Sequence, residues 1–284
     1  MPELPEVETI ISDLNKKIKG AVITDFWSDF SKAIKGSTLE KFKREMRGKK
    51  ILKAERVGKN ILINLSDNKT LHIHLRMTGH LLVKDKSKKL NQKNFADKVN
   101  QYIHHIWKLD KDKTLEFSDL RKFATITLFD TNEISNYLAD KKIGIDALDK
   151  KFTFVIFNQL LNAKPKMPIG IFLLDQSIIS GIGNIYRSEI LFASGVLPER
   201  KNESLNKIER KKIFVNTEKI LKLAIKMRGT SDSDYRDSSG APGHFQKMLK
   251  VYRKDKTPCS KCGNILLRKK MAQRSVFYCA NCQK

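Results

Sequence analysis

The sequence predicts an α+β chain: one amphipathic helix, an antiparallel β domain, a helical domain and a small four-cysteine unit. Three patterns carry this. Leu4, Val7, Ile11, Leu14 and Ile18 recur at helical spacing. Leu71, Ile73 and Leu75 alternate with His72, His74 and Arg76, the period of a half-buried strand. All four cysteines fall within 259–284 as C-x2-C-x16-C-x2-C.

Taken in order, 3–19 reads as a helix lying on a core, which holds the N-terminus in place. Strand-like runs follow at 51–57, 61–65, 114–118 and 123–129, interrupted by a polar, Lys-rich surface excursion at 84–101 that reads as mobile. Helical patterns occupy 153–162, 169–178, 184–194 and about 205–227, the last between Ser204 and Gly229. Gly229, Gly240, Pro242 and Gly243, with Ser231, Ser233, Ser238 and Ser239, make 228–243 a candidate flexible loop. The expected division is 1–146, 147–245 with that loop, and 246–284. No internal repeat is visible.

The 284 residues carry 56 Lys and Arg against 31 Asp and Glu, a formal charge of +25 spread along the chain. A polyanionic partner is the natural inference, although 43 of the basic residues are Lys and many are simply solvated. No apolar run approaches the roughly 20 residues of a membrane helix, and the acidic N-terminus is unlike a signal peptide. The expected location is the cytoplasm or nucleoid, with no membrane partner.

The cysteine spacing suits four thiolates around one structural Zn2+: Cys259, Cys262, Cys279 and Cys282. Four protein ligands leave no open position for catalysis. A zinc ribbon alone equally fits a ribosomal or transcription protein. The chain start, Pro2-Glu3-Leu4-Pro5-Glu6-Val7-Glu8, fits an ordinary first helical turn, where Pro and Glu are favoured.

With its later landmarks, that start resembles the formamidopyrimidine-DNA glycosylase family, bacterial enzymes that repair oxidised purines. Gly58-Lys59-Asn60 resembles the family's catalytic-lysine hairpin. His74 to Gly79 and Asp119 to Phe123 resemble its two intercalation loops, Ser180 to Tyr186 its helix-two-turn-helix, and Ala272-Gln273-Arg274 the tip of its zinc hairpin. The resemblance spans essentially the whole chain and implies an N-terminal β-sandwich preceded by a helix. It also implies a bifunctional glycosylase and abasic-site lyase acting on damaged double-stranded DNA, without an obligate protein partner and as a monomer.

The residue chemistry fits those implied roles. Once Met1 is removed, Pro2 presents an α-amine, whose pKa of about 7.7–8.0 leaves it far more often neutral than a Lys. The resemblance makes Pro2 the nucleophile, Glu3 its acid and base with Glu6 assisting, and Lys59 a phosphate contact or proton donor. The resemblance further implies that Arg274 grips phosphates and aids elimination. Met77, Arg121 and Phe123 fill the space left by an extruded base, although singly Met77 and Phe123 read as core and Arg121 as a solvated charge. By the same resemblance Asn184 holds a phosphate at a helix start, Tyr102 stands at a DNA-contacting position, and the 228–243 loop, with Tyr235, closes over the flipped base.

Four features depart from the family pattern: Tyr102 where a His is usual, Gly170 where a Lys is usual, Ala124 in place of Gly, and the long 84–101 excursion. Two alternatives stand beside the main reading, an endonuclease VIII-like enzyme for oxidised pyrimidines and a non-catalytic damaged-DNA binder.

Overall fold

The computed structural model describes residues 1–87 and 92–284. The chain forms two compact units, Met1–Asp140 with Met227–Gln246, and Lys141–Lys226 with Lys247–Lys284. The 227–246 segment, expected within the helical domain, thus packs with the N-terminal elements. The four-cysteine region groups with the helices.

The first unit opens with α1 (Leu4–Lys17), whose Leu4, Val7, Ile10, Ile11 and Leu14 are buried. Then come β1 (Ile23–Ser28), β2 (Ile34–Lys35), α2 (Leu39–Met46), β3 (Ile51–Val57), β4 (Asn60–Leu65), β5 (Lys69–His74) and β6 (His80–Asp85). A short α3 (Gln92–Phe95), β7 (Ile103–Leu109), β8 (Lys113–Ser118), β9 (Thr125–Asp130) and α4 (Ile134–Asp140) complete it. The strands make a four-stranded sheet, β1-β7-β8-β6, and a five-stranded sheet, β2-β9-β5-β4-β3, antiparallel except for β2 on β9. Both sheets turn apolar faces into one core: Phe26, Trp107, Leu81 and Phe117 from the first, Ile61, Ile63, Ile73 and Ile126 from the second, with α1 and Phe42 of α2. This is the expected sandwich, because alternation sends every second side chain inward.

Part of the expected 84–101 excursion, residues 88–91, lies outside the described residues. The rest includes α3 and a 3-10 turn at Lys98–Gln101 capped by Asp97.

The second unit contains β10 (Ile145–Asp146), α5 (Phe154–Ala163), α6 (Ile169–Phe172), β11 (Ile179–Ser180), α7 (Asn184–Ser194), α8 (Lys207–Lys226) and the hairpin β12 (Leu267–Met271) to β13 (Arg274–Tyr278). The helix expected over 169–178 stops after one turn. Asp175 accepts from the Ser177 backbone and hydroxyl at 2.9 and 2.6 Å, and Gln176 donates to the Leu174 and Ile182 carbonyls. Side chains that satisfy nearby backbone groups compete with the helix.

Two buried charges organise this unit. Glu189 of α7 accepts the backbone N–H groups of Lys250, Val251 and Tyr252, each at 2.9 Å, tying the helix to the segment that leads into the cysteine hairpin. Burial raises its carboxyl pKa, and the three N–H donors oppose that rise. Arg187, fully buried two residues earlier, donates to the Gly170 carbonyl at 3.0 Å and the Ser275 carbonyl at 3.2 Å.

His105 sits in the first unit's core among the rings of Phe26, Trp107 and Phe117, where burial pushes its pKa from 6.5 down to about 4. The folded protein therefore keeps this ring neutral where the unfolded chain takes up a proton, so stability falls as pH drops from about 6.5 toward 4. The thermal midpoint should decline across that window. A His105→Phe variant, measured by circular dichroism, should show a shallower slope; an unchanged slope would rule His105 out as a source.

Candidate active site and nucleic-acid interface

Pro2 is buried immediately before α1. Glu3 is the N-cap of the helix and Glu6 its third residue, and the two form a reciprocal capping box in which the Glu6 Oε2 accepts the Glu3 N–H at 2.7 Å. Both carboxylates are almost fully buried, Glu3 at 2% exposure and Glu6 at 1%. Glu6 has a second task, because its Oε1 accepts the Thr230 N–H at 2.7 Å. Gly229, at φ +80°, permits that approach: a Cβ there would lie 2.8 Å from the Glu6 carboxylate.

Lys59 occupies the two-residue turn between β3 and β4, where Val57 pairs with Asn60 and Gly58 takes a φ of +58°. It is the only buried lysine among the described residues, at 7% exposure, which separates it from the solvated majority. Arg56 braces the turn, donating to the Gly58 carbonyl at 3.0 Å and to Glu8 of α1 at 2.8 Å. Asn60 closes it from the other side, donating to the Val57 carbonyl at 3.0 Å, while its oxygen lies 2.9 Å from the His72 Nε2. Burial first, then the charges of Arg76 and Lys59, hold His74 down to about 3, so it is a neutral ring beside cations.

Met77, Arg121 and Phe123 form one cluster. The Arg121 guanidinium lies 4.6 Å from the Phe123 ring centroid and 3.0 Å from the Met77 sulfur. Phe123 and Arg121 are exposed and Met77 half-buried, so Phe123, at 51% exposure, is not the core residue its type suggests. The two loops are stitched underneath: Thr78 donates to Asp119, the Arg121 N–H donates to Thr78, and Asp119 accepts the Ala124 N–H. Arg76 and Lys122, flanking these side chains, adopt left-handed φ of +54° and +55°. Tyr102 is half-buried, and its carbonyl accepts the Asp119 N–H at 2.9 Å.

In the second unit Asn184 is the first residue of α7, after the Gly183 N-cap. Arg187 donates to its side-chain oxygen and also holds Ser275, the neighbour of Arg274, so one buried guanidinium fixes both the helix start and the hairpin. Arg274 is exposed beside a tight turn in which Ala272 and Gln273 have φ of +46° and +59°. Gly170 has a local reason: a Cβ there would sit 2.8 Å from the Pro198 carbonyl, leaving no room for a lysine.

The four cysteine sulfurs lie within 4.8 Å of one another, with Cys259 to Cys282 at 3.9 Å and Cys262 to Cys279 at 3.5 Å. Zinc–sulfur bonds of about 2.3 Å in a tetrahedron give sulfur separations of roughly 3.8 Å. The donor set fits one structural zinc, which would lock the hairpin bearing Arg274.

Sequence reasoning passed over Arg56 and Arg187. The contacts that give each its bridging role, Arg56 to Glu8 and Arg187 to the Ser275 carbonyl, span 48 and 88 residues in sequence and leave no local pattern.

Three family profiles match in chain order: the formamidopyrimidine-DNA glycosylase N-terminal domain over 1–126, its H2TH domain over 143–236, and the zinc finger found in FPG and IleRS over 257–284. In class, the chain is a zinc-finger DNA glycosylase of base excision repair. It is 41% identical over 284 residues to the formamidopyrimidine-DNA glycosylase of Carboxydothermus hydrogenoformans, covering 100% of both chains. The Ureaplasma parvum enzyme of that name is 35% identical, again with 100% of both chains covered. Its fold is similar to that of Lactococcus lactis Fpg in complex with DNA containing an abasic site, at TM-score 0.87 and 31% identity over 99% of each chain. A Lactococcus lactis complex with Fapy-dG DNA gives 0.86 and 30%, covering 99% of this chain and 100% of that one. The chain belongs to the formamidopyrimidine-DNA glycosylase family.

Replacing Cys279 with Ser should abolish stoichiometric zinc, read by a colorimetric release assay. Amide exchange in β12 and β13 should accelerate at least about tenfold while the β-sandwich is unaffected. Zinc retention by the variant would remove Cys279 from the ligand set.

Proposed function

We propose that the enzyme excises oxidised purines, 8-oxoguanine and formamidopyrimidines, from duplex DNA and then cuts the strand by β- and δ-elimination. The observation that supports this best is the burial of Pro2 at the start of α1 together with the Glu3 and Glu6 carboxylates, which gathers an amine donor and two acid–base groups in one sheltered turn.

After loss of Met1, the Pro2 nitrogen attacks C1′ of the damaged nucleotide, the base leaves with its bonding pair, and the proton shed by the Pro2 nitrogen neutralises the departing base. Glu3 protonates the sugar ring oxygen as the ring opens, and the nitrogen lone pair forms a C1′ iminium. The iminium acidifies C2′–H; loss of that proton expels the 3′ phosphate, and a second elimination expels the 5′ phosphate. Lys59 and Arg274 serve the phosphates and their departure. Met77, Arg121 and Phe123 occupy the gap left by the extruded nucleotide, with Arg121 facing the orphaned base. Gly183 and Asn184 present a helix start to a phosphate, Tyr102 lies along the DNA, and 228–243 covers the flipped base. The enzyme works as a cytoplasmic, nucleoid-associated monomer.

Borohydride treatment with a duplex bearing 8-oxoguanine opposite cytosine should give a covalent adduct at Pro2 of a Met1-less chain, located by mass spectrometry, with strand cleavage. A Pro2→Gly control should lose most of the trapped product. Binding without an adduct would indicate a non-catalytic binder, and activity on thymine glycol but not on 8-oxoguanine would indicate the pyrimidine-specific alternative.

Duplex affinity should fall linearly in a log–log plot against salt. Arg274→Ala should reduce that slope by about one and slow the final elimination; an unchanged slope would place Arg274 away from phosphate.

A further inference from the structure

The segment 227–246 has the composition of a loose loop, yet Thr230, Tyr235, Asp237 and Ser238 are buried. One side is fixed to α1: Arg228 bridges Asp13 at 2.6 Å and Asp237 at 2.6–2.8 Å, Ser238 donates to Asp13 at 3.0 Å, and Glu6 holds Thr230. The other side is fixed by the tail of the 84–101 excursion, the part of the chain noted above for its length.

Asn100, at 1% exposure, stands at that second junction. Its amide nitrogen donates to the Asn94 carbonyl at 2.8 Å and to the Gly240 carbonyl at 3.1 Å. Its oxygen therefore faces His80, 2.8 Å from Nε2. Both His80 nitrogens face acceptors, Nε2 the Asn100 oxygen and Nδ1 the Thr78 carbonyl at 3.2 Å, and the shorter contact is the one to Asn100. Three residues away Asp97 accepts Arg236 at 2.8–2.9 Å, and Arg236 also donates to the Ser233 and Tyr235 carbonyls at 3.1 and 2.8 Å, folding the tip of the segment down. Gly240, at φ +74°, packs so closely that a Cβ would meet Asn100 at 2.8 Å and Phe95 at 3.2 Å.

We propose that the 94–101 tail is a clamp that positions the 227–246 segment, with Asn100 and Asp97 as positioning residues, and thereby favours base-bearing lesions over abasic sites. The functional half rests on the reading of 228–243 as the cover of the flipped base. An abasic nucleotide has no base to cover, so the clamp acts on excision and leaves strand cleavage at a pre-formed abasic site alone. Neither residue touches the reacting atoms in this scheme; both act through the segment.

The test uses Asp97→Ala, a change at a partly exposed side chain, and Asn100→Ala, with Asp97→Glu as the conservative rescue. In the free, zinc-loaded full chain, hydrogen exchange in 231–241 should speed up about tenfold in both alanine variants while α1 and β4 keep wild-type protection. Single-turnover excision of 8-oxoguanine should drop roughly three- to tenfold, abasic-site cleavage should stay unchanged, and Asp97→Glu should recover most of the loss. Should Asn100→Ala fail to fold, Asp97→Ala decides both arms. Unchanged exchange overturns the clamp. Faster exchange with equal losses on both substrates overturns its role in selectivity. If the wild type excises no 8-oxoguanine but 231–241 loosens as expected, the clamp stands and the functional reading falls.

Discussion

The first turn of α1 buries Pro2 and two carboxylates, and buried charge is costly unless it is paired. The capping box answers part of that cost by setting Glu6 against the Glu3 N–H, and the Thr230 N–H answers more. Helix N-termini favour carboxylates in any case, since their first N–H groups lack intrahelical acceptors. Ordering of the N-terminus therefore depends on a segment more than 220 residues downstream.

That dependence explains why 227–246 belongs to the first unit although the chain reaches it after α8. Arg228, Asp13 and Asp237 form a charge group whose carboxylates are nearly buried while the guanidinium stays partly exposed, a favourable division because arginine is weakly hydrated and forms forked hydrogen bonds. Lys17 reaches the Ser238 and Ser239 hydroxyls at 2.7 and 2.6 Å from the last turn of α1. The helix thus contacts the returning segment from its first turn to its last.

The second unit meets a comparable demand with different means. A four-cysteine hairpin is too small to bury a core of its own, and Val251, Leu266, Phe277 and Phe192 of α7 supply one beside the cysteine sulfurs. Arg187 and Glu189 then tie α7 to either side of that hairpin. The backbone at Ala272 and Gln273 remains in the left-handed region despite its side chains, which keeps Arg274 at a narrow, projecting turn.

The sequence alone determined the class of fold and most of its parts, since apolar periodicity and cysteine spacing are local properties. It located α1, α7 and the strands 51–57 and 61–65 closely, and the zinc ligands by spacing. It misread 169–178, where Asp175 and Gln176 redirect the chain, and it took 228–243 for a flexible loop, because Gly, Ser and Pro record backbone freedom and not what the backbone meets. Lys59 could be chosen from 43 lysines only by its motif; its burial gives the physical distinction. Tertiary structure alone decided that Arg121 lies over Phe123, that Arg187 links Asn184 to the hairpin, and that Asn100 meets Gly240. Each of the last two joins residues more than 80 positions apart, or 140 for Asn100 and Gly240, and no local pattern encodes which distant carbonyl a buried donor will find.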